Sequence, residues 1–177
     1  MTAMSARMLT ARITHLEMAA RPPHRVPAPL GAQLAVMRAP RMPLHFYRYL
    51  YERVGRPHHW ELRRRMEDDA LSAIIHATTT LIDVLYVDGA PAGFVEIDLS
   101  RAPDQAEIEY FGLMAEFQGR GLSKFFLSCA LHAAWQHDPR KLIIQTNSLD
   151  SPRALQLYQT MGFVPVGTSQ AEVEAWD

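Results

Sequence analysis

The six residues Gln118-Gly119-Arg120-Gly121-Leu122-Ser123 decide how this chain is read. Before them, Ile108, Tyr110, Phe111, Leu113 and Met114 form a short apolar run prone to extended structure. After them, Leu122, Phe125, Phe126, Cys129, Ala130 and Ala133 recur at helical spacing. The spacing therefore predicts a strand, a tight loop and a helix. Two glycines at a helix start leave backbone N–H groups free, and the helix dipole adds partial positive charge, so the loop suits phosphate oxygens.

Two common phosphate loops do not fit. A Walker loop requires G-x-x-x-x-G-K-[ST]. A dinucleotide loop requires G-x-G-x-x-G, and here Lys124 stands where its third glycine belongs. The segment instead resembles the acyl-CoA pyrophosphate loop of the GNAT superfamily of N-acyltransferases, [QR]-x-x-G-x-[GA], through Gln118 and Gly121, with Ser123 in place of Gly or Ala. A second block supports the resemblance. Lys141 to Thr146 reads as a buried strand, and Ser151 to Phe163 as a helix ended by glycine. This block is similar to the family pattern N-x-x-A-x-x-L-Y-x-x-x-G-F at Ala154, Leu157, Tyr158, Gly162 and Phe163. Ser151 replaces the usual asparagine, so the role of that asparagine is not carried over.

The chain has 177 residues, enough for one domain with a sizeable core. Apolar residues make up 48% and charged residues 21%, ordinary for a globular protein. No apolar run approaches the roughly 20 residues that span a bilayer, and the single cysteine, Cys129, excludes an internal disulfide. A cytoplasmic location is the simplest expectation. Charge is unevenly spread: residues 1–65 hold twelve arginines against three carboxylates, and residues 66–177 hold six basic against sixteen acidic groups. No nucleic-acid motif accompanies the arginines, so they are expected to pack against the acidic half rather than on DNA or RNA. A carboxylate-rich cleft would in turn attract a cationic amine.

Along the chain, residues 1–30 read as an arm: a disordered start to Arg12, an edge strand at Ile13 to Met18, and an extended segment with four prolines between Arg21 and Pro29. Residues 31–177 read as a single domain. Within it come a strand at Gln33 to Met37, a helix at Pro43 to Val54, a second helix at His59 to Ala77, and two strands, Thr80 to Val87 and Ala92 to Leu99. The hairpin between those strands carries Asp88-Gly89. His58 and His59, next to Trp60, offer metal ligands or a substrate gate, but with no partner at metal spacing they are read as a solvated loop before the helix. A last strand covers Phe163 to Thr168. The order β-α-α-β-β-β-α-β-α-β predicts an α/β (α+β) fold, a mixed, mostly antiparallel sheet flanked by helices, and resembles the GNAT fold.

The residues also suggest chemistry. A free alkylamine, with a pKa of about 10.4, is mostly protonated at pH 7, so attack on a thioester needs a proton acceptor. Strict alternation along the strand before the loop puts Glu107, Glu109, Phe111 and Leu113 on one face. The resemblance implies a basic carboxylate on this strand, Glu107 first and Glu109 second. It further implies oxyanion-stabilising backbone near Leu113 and Met114, and Tyr158 as the proton donor to the leaving thiolate. Backbone donors of Gly119, Arg120, Gly121, Leu122 and Ser123 would hold the pyrophosphate, with Gln118 opening the loop and Arg120 and Lys124 placed to meet phosphates. No metal is expected, because the thioester is already activated. The expected activity is direct transfer of an acetyl group from acetyl-CoA to a primary amine, on a small molecule or peptide, in a ternary complex. Two readings compete with it: a non-catalytic acyl-CoA-binding module, and a nucleic-acid binder using residues 1–65. A homodimer stays open.

Overall fold

The computed structural model describes residues 6–176. Seven strands form one sheet in the order β2-β3-β4-β5-β6-β1-β7. They are β1 (Met8–Met18), β2 (Leu34–Arg38), β3 (Thr80–Val87), β4 (Ala90–Asp98), β5 (Ala106–Leu113), β6 (Leu142–Asn147) and β7 (Val164–Glu174). Four helices flank it: α1 (Leu44–Gly55), α2 (Asp68–Ile75), α3 (Leu122–Trp135) and α4 (Ala154–Thr160). The sheet is mixed and mostly antiparallel, as the sequence led us to expect, with β5 and β6 as its parallel pair.

Each face buries its own cluster. On one side, Tyr47, Leu50, Tyr51 and Val54 of α1 and Leu71 and Ile75 of α2 pack on Ile82, Val84, Phe94 and Tyr110. On the other, Phe126, Leu127, Ala130, Leu131 and Ala134 of α3 and Tyr158 of α4 pack on Leu85, Val95, Ile97, Ile108 and Ile144. The α1 side fits closely because Gly112 of β5 has no side chain. A Cβ there would sit 2.4 Å from a methyl of Val54, inside van der Waals contact. The two-residue turn between β3 and β4 has positive φ at both Asp88 (49°) and Gly89 (84°), the backbone of a type I′ hairpin.

Three expectations are corrected. The start of the chain is not disordered up to Arg12, and Ile13 to Met18 is not an edge. Met8–Met18 is one strand with neighbours on both sides, pairing Leu9 with Val173 and Ala11 with Ala171 on β7, and Leu16 with Ile144 on β6. The partners that make it a strand lie more than a hundred residues away, and its own alternation is weak. Residues 1–5 lie outside the described residues. The second helix begins at Asp68 rather than His59. After α1 the chain forms one tight turn, Arg56–His58, then takes left-handed backbone at His59 (φ 56°), and Trp60 turns back onto the end of α1. The acids Asp68 and Asp69 mark the true first turn. Finally, β7 runs on to Glu174, well past Thr168.

The charge halves meet as expected. Arg38–Asp83, Arg48–Asp68, Arg53–Glu116, Arg63–Glu96 and Arg65–Glu174 all join an arginine of residues 1–65 to a carboxylate of residues 66–177.

Candidate active site

The parallel pairing of β5 and β6 covers only Ala106↔Leu142, Glu107↔Ile143 and Ile108↔Ile144. Beyond it the two strands separate, and the gap opens into a cleft of about 890 Å³. One wall is β5 from Glu107 to Leu113, and the opposite wall is β6 and α4. The glycine loop lies at one end and residues 58–62 at the other.

At the loop end, Gly119 (φ 75°) and Gly121 (φ 73°) both have left-handed backbone that a branched residue resists. No protein atom lies within 4 Å of where a Cβ would stand on either, so the loop presents an open backbone surface. Gly121 immediately precedes α3, a 14-residue helix with no side-chain cap, whose first N–H groups are left for a ligand. This donor-rich, uncluttered end fits a pyrophosphate. Gln118, Gly119, Gly121, Ser123 and Lys124 line the cleft. Leu122 does not: its side chain is in the core, so only its backbone is available. The Arg120 guanidinium lies 5.2 Å from the ring centre of Phe117, outside the lining. Gln118 donates from Nε2 to the Leu113 carbonyl at 3.3 Å, tying the loop to the end of β5.

Of the two backbone groups expected to meet an oxyanion, the structure separates one from the other. The Met114 N–H donates to the Ala92 carbonyl at 2.8 Å and is occupied. Successive N–H groups of a strand point to opposite edges, so that of Leu113 points away from β4, toward the side where β6 has already diverged.

The carboxylates sit on β5, but alternation along it is broken. Ile97 faces Ile108 and Glu96 faces Tyr110, so Glu109 is an extra residue with no partner across the ladder, a β-bulge. Beyond the bulge the faces exchange. Phe111 and Leu113 join the α3 side with Ile108, and Tyr110 joins the α1 side. The expectation that Glu107 and Glu109 share the Leu113 face is therefore corrected. They do converge: carboxylate oxygens of Asp98, Glu107 and Glu109 lie within 4.8 Å of one another. Glu107 accepts from Arg101 at 2.5 Å and from Gln145 at 3.4 Å. Burial raises its carboxyl, and Arg101 pulls it back. Glu109 makes no ion pair among the described residues, and the more distant Arg63 lowers it only in part. Burial, reinforced by the charge of Glu107, pushes it up to about 7.

Tyr158 lines the cleft from α4, its ring edge-on to Phe111 and Phe163 with centroids 6.5 and 6.2 Å away. Burial first, and then the charge of Asp150, hold its hydroxyl well above the usual phenol range, so it keeps its proton. Around Tyr158, the helix starts at Ala154 rather than at Ser151, whose Oγ accepts from the Arg153 N–H at 3.3 Å.

Several lining groups had escaped the sequence reading. Trp60 packs on Tyr51 and Tyr110, with ring centroids 5.6 and 5.0 Å away, and donates from Nε1 to Asp150 at 3.3 Å. Behind it, buried Glu96 accepts from Tyr47 at 2.5 Å and from Arg63 at 2.9 Å. His58 and His59, read as a solvated loop, line the cleft instead. Ile13 of β1 and Ala171 to Val173 of β7 also reach it. Two histidines beside a tryptophan, His58, His59 and Trp60, were the signal for this wall. It did not say what the wall would face.

The sequence model of the acetyltransferase (GNAT) domain matches residues 50–175. The chain belongs to the GNAT acetyltransferases. No curated protein matches it. Among solved structures it is similar to a conserved protein of unknown function from Staphylococcus epidermidis (TM-score 0.66, 18% identity, 96% of this chain and 64% of that one). It is also similar to a tandem GNAT protein of the clavulanic acid biosynthesis pathway (0.62, 17%, 95% and 55%). A third match is an aminoglycoside N-acetyltransferase solved in complex with CoA (0.55, 19%, 77% and 91%). At these identities the likeness shows the fold alone. The chain spans 64% and 55% of the length of the first two, and the GNAT match leaves β1 outside its bounds. No helix among the described residues is long and apolar enough to cross a membrane.

Proposed function

We propose that this GNAT protein transfers an acetyl group from acetyl-CoA directly to a primary amine in a ternary complex. In this reading residues 31–177 together with β1 form the transferase unit. The observation that carries the reading is Glu109: an unpaired carboxylate with a pKa of about 7 in the same cleft as an open glycine loop. Acetyl-CoA supplies an activated thioester. The glycine loop and the start of α3 hold its pyrophosphate, with Lys124 within reach of the phosphates.

Glu109 takes the proton from the incoming ammonium. A carboxylate titrating near neutral pH is a far better acceptor than an ordinary one at about 4.3. We prefer it to Glu107, whose oxygens are engaged by Arg101 and Gln145; Glu107 raises the pKa of Glu109 by its charge. The Leu113 N–H is placed to donate to the carbonyl oxygen as negative charge builds on it. Tyr158 donates its proton to the departing sulfur. Each of these steps is served by a side chain or N–H of the chain, and a chelator is expected to leave turnover unchanged. Glu61, Glu107, Glu109 and Glu172 line the cleft, a field that favours acceptors carrying positive charge.

The test is thiol release from acetyl-CoA over a panel of primary amines. Release that depends on the amine, with acetylated product by mass, is expected. Tight acetyl-CoA binding with no release on any amine would favour the acyl-CoA-binding module instead.

A further inference from the structure

The cleft wall made by residues 58–62 is tied to its neighbours in sequence by two backbone bonds, His59 N–H to the Arg56 carbonyl at 3.2 Å and Trp60 N–H to the Gly55 carbonyl at 3.1 Å, and its other attachments come from distant parts of the chain. It crosses the gap between the two halves of the sheet. On the far side His58 Nδ1 lies 3.3 Å from the Leu149 carbonyl, and Trp60 reaches Asp150. The strongest attachments come from the residues just after β7. The Trp176 N–H donates to His59 Nδ1 at 3.0 Å, and its indole Nε1 donates to the Trp60 carbonyl at 2.7 Å. The Arg64 guanidinium stacks 4.0 Å from the Trp176 ring centre. Two residues earlier, at the end of the strand, the Glu174 N–H donates to Glu61 at 2.7 Å, and Arg65 pairs with the Glu174 carboxylate. The backbone here is itself fixed, because the Ala175 N–H extends the β1 ladder to the Arg7 carbonyl at 2.8 Å.

These contacts matter because the wall is irregular. Residues 59–67 include no helix or strand, and His59 has left-handed backbone, so beyond the N–H bonds of His59 and Trp60 to the end of α1 the position of the wall depends on contacts from elsewhere. Trp176 does not line the cleft, whereas His59 and Trp60, which it grips, do. We propose that Trp176 is a positioning residue for the acceptor: by fastening the His59 imidazole and the Trp60 carbonyl across the open sheet, it sets the wall against which the amine-bearing substrate is held. The proposal rests on the reading of the cleft as an amine acetyltransferase site. It adds a residue that touches neither acetyl-CoA nor the reacting atoms.

Trp176→Ala removes the indole donor and the stack on Arg64, and Trp176→Phe removes the donor alone. Each is compared with the wild-type chain in the presence of acetyl-CoA. Losing a half-buried hydrogen bond and a cation–π contact should raise the acceptor KM about tenfold in Trp176→Ala, and about threefold in Trp176→Phe. Turnover at saturating acceptor and calorimetric acetyl-CoA affinity should stay within about twofold, as expected for lost uniform binding. Amide hydrogen exchange should quicken at residues 58–62 and stay unchanged across α3. Unchanged acceptor KM with unchanged loop exchange overturns the proposal, and so does a parallel loss of acetyl-CoA affinity, which would mark general loosening. If the wild-type chain acetylates no amine, the transferase reading fails by itself. Loop exchange then decides the fastening: quickened exchange confined to 58–62 upholds it, and unchanged exchange removes it.

Discussion

The two ends of the cleft are built in different ways. The cofactor end is local: Gln118 to Lys124 lie within one turn and the start of one helix, and what they offer is backbone N–H groups and the absence of side chains. The acceptor end is assembled from distant pieces. Trp60 meets Asp150, Arg63 meets Glu96, and Trp176 meets His59. A phosphate can be held by repeating main-chain geometry, whereas an amine must be oriented and deprotonated by particular side chains. The first need leaves a signature in a few consecutive residues. The second can be met by residues from anywhere in the fold.

The largest effect expected lies at the acceptor end. Glu109→Gln should lower turnover at pH 7 by roughly 10²–10⁴-fold, the range of general base catalysis, with acetyl-CoA affinity unchanged. In the wild type the rate should rise as pH increases through about 7 and then level off, because Glu109 is the acceptor only when ionised. Glu107→Gln should change turnover much less and shift the rise to lower pH, since the charge that lifts Glu109 is gone. If Glu107→Gln instead abolishes the pH-dependent rise and Glu109→Gln keeps it, the two carboxylates exchange roles.

Tyr158→Phe tests the point where the two ends meet. The ring and its packing on Phe111 and Phe163 are kept, and only the proton is removed. Turnover should fall by about 10²-fold, with little change in melting temperature. Full turnover in a stable variant would mean that water protonates the thiolate.

The contrast between the ends explains how much the sequence disclosed. The strand–loop–helix unit around Gly121, the hairpin at Asp88-Gly89 and the helix carrying Tyr158 are each written in contiguous residues, so periodicity and turn chemistry reveal them. β1 was read as a partly disordered arm because its partners, Ala171 and Val173 among them, lie far along the chain. The bulge at Glu109 was invisible for a related reason. It is a mismatch between β4 and β5, and neither strand shows it alone. Alternation along an unbroken strand puts both glutamates on the Leu113 face, and only the pairing of the two strands shows that it is broken at Glu109. Trp176 had no signal, since its importance lies in what it grips.

At the cofactor end, Gly121→Val should weaken acetyl-CoA binding by about tenfold, through the strain of a branched residue at φ 73° and a side chain in the space left open for the ligand. Strain alone could mimic this, so Gly31→Val serves as the control. Gly31 also has a positive φ, 93°, with no protein atom within 4 Å of its Cβ position, but it lies in the loop before β2 and is not part of the cleft lining. It should lose comparable stability and keep full affinity. Equal affinity losses in both variants would remove the glycine loop from the binding site and undo the distinction between the ends.

The smallest effect expected is on stability, and it asks whether the acceptor end is strained by its own chemistry. An unfolded glutamate titrates at about 4.3, whereas Glu109 in the folded chain is pushed up to about 7, by burial first and by Glu107 second. Between those values the folded state holds a proton that the unfolded state has released. By linkage, stability must then fall as pH rises through this window and stay level above it. Glutamine carries no charge at any pH, so Glu109→Gln avoids this loss. Its melting temperature should match the wild type near pH 4 and exceed it by a few degrees at pH 8, where each kcal/mol is worth roughly 2–4 °C in a chain of this size. Glu107→Gln should gain less, because it leaves Arg101 without its partner. A Glu109→Gln protein less stable than wild type at pH 8 would show that the fold favours this carboxylate in its charged form. Glu109 would then be an ordinary surface acid rather than a base held near neutral pH by burial.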